Sequence, residues 1–146
     1  MSDALASLRR YMPEWMAARG ATLLDALPPR ADRWVQQTAR AVEAAPGPPA
    51  ADAWHEELVE QFGEGRSVEQ QQAIVAALRS AVLLVAIQQL PPPAVLGGEE
   101  VPVPAETKTT KLDHLGIKRS RMLGLLERNL PASDHAIHRV TAALEG

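Results

Sequence analysis

Two histidines three residues apart, His135 and His138, share a face of any helix that carries them. With Asp134, and with His114 if the fold brings it near, they could hold a metal ion. No second ligand motif accompanies them, so surface histidines are the better reading. His55 beside Glu56 and Glu57 is a candidate general base, yet no nucleophile stands out for it to activate. The only Gly-Gly pair, Gly97-Gly98, is followed by Glu99 and Glu100, which would repel phosphate. The chain has no cysteine, which removes disulfides, thiolate zinc sites and thiol nucleophiles. Its five aromatics, Tyr11, Trp15, Trp34, Trp54 and Phe62, all lie in the first 62 residues, far in sequence from the lysines. Stacking on single-stranded nucleic acid would want more aromatics, interleaved with basic residues. These residues predict a protein that is not an enzyme and takes no metal or cofactor.

The other polar cluster is basic. Leu115-Gly116-Ile117 leads into Lys118, Arg119, Ser120 and Arg121, followed by Met122 and the pair Leu125-Leu126. The stretch from Lys108 to Leu130 resembles the helix-turn-helix of Fis/NtrC-type DNA-binding domains and is similar to that of small phage repressors. Leu115 and Ile117 would anchor two helices on each other, and Gly116 would take the positive φ of a tight turn. Met122 and Leu125 would turn inward. The resemblance implies a second helix that enters the major groove, with Lys118, Arg119, Ser120 and Arg121 near base edges. Arginine can make paired hydrogen bonds to guanine there. It further implies phosphate contacts from Lys108, Thr110 and Lys111, and a dimer, because a single such motif makes few contacts. The chain departs from the family where Lys111 and Leu112 replace the small alanines usual in the first helix, and a third helix follows the motif. A plain helical hairpin used for packing or protein contacts has the same pattern, since it arises wherever one helix ends at glycine and another begins.

The elements that must position these residues are helices. Alanine and proline are both abundant, with 12 prolines in 146 residues, which predicts alanine-rich helices cut into pieces. A first segment spans about Asp3 to Leu27, with a cap from Ser2 or Asp3 and a kink or break at Pro13. A second runs from about Arg30 to Ala45, and Pro46-Gly47-Pro48-Pro49 then forbids helix. A third, Asp52 to Phe62, has Asp52 and Gly63 as candidate caps. The fourth, Val68 to Leu90, has Ser67 and Gln70 at capping-box spacing and is apolar nearly all round beyond Ser80. It is expected to be central, with Trp15, Trp34 and Trp54 packed around it. Residues 91–106 carry five prolines and read as a linker or extended arm. Three short helices follow, at about Lys108–His114, Lys118–Asn129 and Asp134–Leu144, with Ser133 as a cap. Their apolar residues could form a miniature core.

Charge divides at the same place. Residues 1–106 hold eight arginines and fourteen acids, a net of −6, whereas residues 107–146 hold seven basic residues and four acids, a net of +3. The chain is therefore expected to be all-α. Residues 1–90 form an acidic helical bundle, 91–106 a Pro/Gly-rich linker or arm, and 107–146 a basic three-helix unit. The most apolar run, Ala81 to Ile87, is bounded by polar residues and falls short of the ~20 residues of a transmembrane helix. The N-terminus lacks an apolar signal core. These features predict a cytoplasmic protein with no membrane partner. Two functions fit. One is a DNA-binding regulator, binding double-stranded DNA as a homodimer or higher oligomer. The other is a scaffold or adaptor that docks on a protein partner through its proline-rich arm and C-terminal helices.

Overall fold

The computed structural model describes residues 3–90 and 105–145, and over 105–115 the course of the backbone only. The expected linker, the Gly97-Gly98 pair and the side chains of Lys108, Thr110, Lys111 and His114 lie outside the described residues. The architecture is all-α. Among the described residues seven helices follow one another: α1 Asp3–Leu8, α2 Glu14–Ala26, α3 Pro29–Ala44, α4 His55–Leu58, α5 Val68–Gln89, α6 Ala105–Asn129 and α7 Asp134–Glu145. A π-helical turn, Val59–Gly63, extends α4.

Proline and capping chemistry set most of these ends. Pro13 separates α1 from α2, and its carbonyl accepts the first amides of α2, from Met16 and Ala17. Pro29 stands in the first turn of α3, where the missing N–H costs no hydrogen bond. Ser67 Oγ accepts from the Gln70 amide at 3.1 Å, and Gln70 Oε1 accepts from the Ser67 amide at 3.2 Å, closing the expected capping box of α5. Ser133 Oγ likewise accepts from the Ala136 amide at the start of α7.

Helix α5 is the hub. Every residue from Ala77 to Ile87 is buried, with α2, α3, α6 and α7 all packed against it. By length and composition α5 could cross a membrane, but here its apolar surface is covered by the chain's own helices. Burying a leucine- or valine-sized side chain stabilises by roughly 1.5–3 kcal/mol. The apolar residues of the tail join this same core. Met122, Leu126 and Ile137 are fully buried, together with Leu8, Leu83 and Leu84.

Three local readings change. The helix expected from Asp52 starts only at His55, and Asp52 does not cap it. Trp54 precedes it instead, in a left-handed conformation with φ 65°. The cause lies in α5, where Arg79 Nε and Nη2 donate to the Ala53 carbonyl at 3.2 and 3.0 Å and hold the chain turned. The same helix then widens into the π turn, and three side-chain donors serve its carbonyls. Arg30 donates to Gln61, Arg66 to Phe62 and Gln71 to Gly63.

The second change concerns Gly116. The helices expected on either side of it are one helix, α6, which runs through Gly116 without a positive φ. A lone glycine costs a helix only about 1 kcal/mol. A Cβ on Gly116 would meet nothing within 4 Å, so no close crossing demands glycine there. Among the described residues the tail is therefore two helices rather than three. The third change concerns Trp15. It is 44% exposed, with the Arg19 guanidinium 5.2 Å from its ring centre, whereas Trp34 is buried and meets the edge of Trp54.

Candidate functional site on helix α6

The four basic and polar residues predicted to read DNA part company. Lys118 points into the protein and is 3% exposed. Its ammonium donates to the carbonyls of Val42, Glu43 and Ala45 at 2.9, 3.3 and 2.6 Å. These are carbonyls at the C-terminal end of α3, the negative end of the helix dipole, and the Val42 carbonyl also accepts from the Ala45 amide. Lys118 thus serves as a cap for a helix more than 70 residues earlier in the chain. Burial lowers its pKa, and the nearby Glu43 carboxylate opposes that shift. Arg119 is half-buried, its guanidinium 5.8 Å from the centre of the Tyr11 ring. Ser120 and Arg121 are exposed. Lys108, Thr110 and Lys111 belong to the same continuous helix, further toward its N-terminus.

The spacing explains the division. Lys118, Met122, Leu125 and Leu126 recur at helical intervals and face α5 and the end of α3. The flank beside that face carries Ile117, Arg121, Gly124 and Arg128, again at intervals of three and four. Arg121 and Arg128 are exposed, and Ile117 is 51% exposed. Between the two arginines Gly124 presents no side chain. Arg121, Gly124 and Arg128, together with Leu125 and the Pro48-Pro49 loop, line an open groove of about 360 Å³. The groove offers two guanidinium groups, an apolar floor and an exposed isoleucine one turn away.

Sequence reasoning missed a further polar centre. Arg79 lies midway along the apolar α5 and is 9% exposed. Besides its two hydrogen bonds to Ala53, Nη1 donates to Asn129 Oδ1 at 3.0 Å, tying α6 to α5 and to the loop before α4. Burial lowers its pKa, opposed by the charge of Asp52. An arginine in the middle of an otherwise apolar helix was the available signal, because such a charge is buried only with partners.

The other candidates are dispersed. His135 and His138 are exposed on α7, and His55 is exposed at the start of α4. Among the described residues no group of three potential metal ligands comes together. Glu57, one of the acids beside His55, instead accepts from Trp34 Nε1 at 2.8 Å. In comparisons with protein families, characterised proteins and solved structures, nothing matches this chain.

Proposed function

We propose that this protein is a non-enzymatic helical adaptor that docks an acidic segment of a protein partner on the outward face of α6. The observation that carries this reading is the groove between Arg121 and Arg128 over Gly124. Planar guanidinium groups pair with carboxylates in fixed, two-pronged geometry. The two arginines are seven residues apart, about 10 Å along a helix axis, which suits two acids on one extended or helical segment. Exposed Ile117 supplies an apolar anchor beside them. The capping role of Lys118 and the place of Arg119 beside Tyr11 favour a protein partner over DNA, because they remove two cations from the outward face.

The DNA-binding regulator remains the second reading. It rests on exposed Ser120 and Arg121, on Lys108, Thr110 and Lys111, and on the net positive charge of residues 107–146. Homodimerisation belongs to both readings.

Fluorescence anisotropy separates them. A labelled glutamate-rich peptide and a labelled DNA duplex are titrated with wild-type protein and with an Arg121→Glu, Arg128→Glu variant. The adaptor reading expects the peptide to bind and the variant to lose about tenfold or more, the scale of charge-assisted hydrogen bonds. Tight duplex binding that weakens steeply with salt, with no peptide binding, overturns it in favour of the regulator.

A further inference from the structure

A second place on the molecule has the marks of a binding site, and it is independent of the α6 groove. A cleft of about 380 Å³ opens between α5 and the loop that enters α4. Arg79 borders it and is more than nine-tenths buried. An arginine has five N–H donors. Among the described residues, three hydrogen bonds from Arg79 are found, two to the Ala53 carbonyl and one to Asn129. Two of its N–H donors are therefore left without a protein partner among the described residues, and a buried polar group without a partner is costly.

The loop over the cleft is held in a conformation that its residues would not choose. Trp54 adopts φ 65°, a region that a bulky side chain occupies only when the surroundings impose it. That turn keeps Ala53 on Arg79 and sets Asp52 and His55, both exposed, on the cleft wall. The remaining lining is Ala51, Val75 and Ala76, which are apolar, and the amide of Gln72. This open cleft thus joins a buried cation, a carboxylate at the rim and a short apolar wall.

We propose that this cleft binds a small carboxylate that also carries an amino group, a free α-amino acid being the simplest case. The ligand's carboxylate accepts from the two remaining Arg79 donors, a match of planar groups. Its ammonium pairs with Asp52, and its aliphatic part lies on Val75 and Ala76. Asp52 argues against phosphate, because a dianion would meet a like charge at the rim. Gln72 and His55 are placed to extend recognition to a polar side chain.

Calorimetric titration of the full chain with L-alanine, acetate and inorganic phosphate tests this. L-Alanine is expected to bind more tightly than either anion. The Asp52→Asn variant should weaken L-alanine about tenfold, the scale of a charge-assisted hydrogen bond, and should bind acetate no more weakly than wild type, because a like charge leaves the rim. Arg79→Lys should abolish binding of both, and circular dichroism checks its fold. If that variant does not fold, Asp52→Asn decides alone, because Asp52 is exposed and caps no helix. No binding of L-alanine up to about 10 mM, well above a millimolar dissociation constant, overturns the proposal. So does an unchanged L-alanine affinity in Asp52→Asn, or a preference for phosphate.

Discussion

Lys118 of α6 donates to the carbonyl of Ala45 at 2.6 Å, and by that contact the last turn of α3 is closed by a side chain from the other end of the protein. The pair links a helix of the acidic N-terminal region to one of the basic tail. It converts a residue with the look of a surface contact into part of the framework.

Lys118→Met keeps the aliphatic stem and removes the three hydrogen bonds. A hydrogen bond to a charged group contributes about 1.5–3 kcal/mol, and abandoned buried acceptors add to the loss. The variant should unfold at lower urea concentration, by about 2–4 kcal/mol in total. A variant as stable as wild type would show that the α3 carbonyls find water instead.

The same lysine predicts a pH dependence. Burial lowers its folded-state pKa below that of the unfolded chain. Between the two values the unfolded chain binds more protons, so stability rises with pH across that window. The window lies below the ordinary lysine pKa. Urea unfolding of wild type and Lys118→Met at about pH 7.5 and about pH 9.5 should show the stability difference between them widening at the higher pH. A difference that shrinks would contradict the direction.

Gly116→Ala discriminates a continuous α6 from a turn. The site is helical and a Cβ there meets nothing within 4 Å. Alanine should stabilise by about 0.5–1 kcal/mol, raising the Tm by a few degrees. A glycine with positive φ would give the opposite sign, because alanine is strained there.

Gly20→Ala is expected to do the reverse in α2. Its Cβ would lie 2.7 Å from Leu84 Cδ2 and 3.2 Å from Leu8 Cδ1, both on fully buried leucines. Overpacking of this kind costs about 1–3 kcal/mol, more than the helix gain of at most about 1 kcal/mol. Thermal unfolding should show a lower Tm.

Ser67→Ala removes the side-chain half of the capping box on α5. Loss of such a cap costs about 1 kcal/mol. Because α5 is the hub of the core, the whole transition should shift as one, which circular dichroism at the helical band and tryptophan fluorescence would report together.

What could be read from the sequence was local. Prolines at 13, 28, 29 and 46 mark the breaks between helices, because a proline has no amide to donate and restricts the residue before it. The spacing of Ser67 and Gln70 marks where α5 begins, and its apolar circumference marks it as the centre. Each of these signals depends on residues a few positions apart. The candidate site was legible in part. Arg121 is outward as expected, but Lys118 is not, and Arg79 was passed over.

Tertiary structure decided the partners of the cations. Lys118 meets acceptors 73 to 76 residues away, and Arg79 meets Ala53 and Asn129 at 26 and 50 residues. A cation in the sequence carries no mark of whether water or a helix end will solvate it. That choice is made when packing along α5 and α6 brings backbone carbonyls to it, and burial then makes the contact obligatory. The sequence by itself determined an all-α chain with its breaks and its central helix. Only the assembled core settled which basic residues hold it together and which remain exposed on the surface.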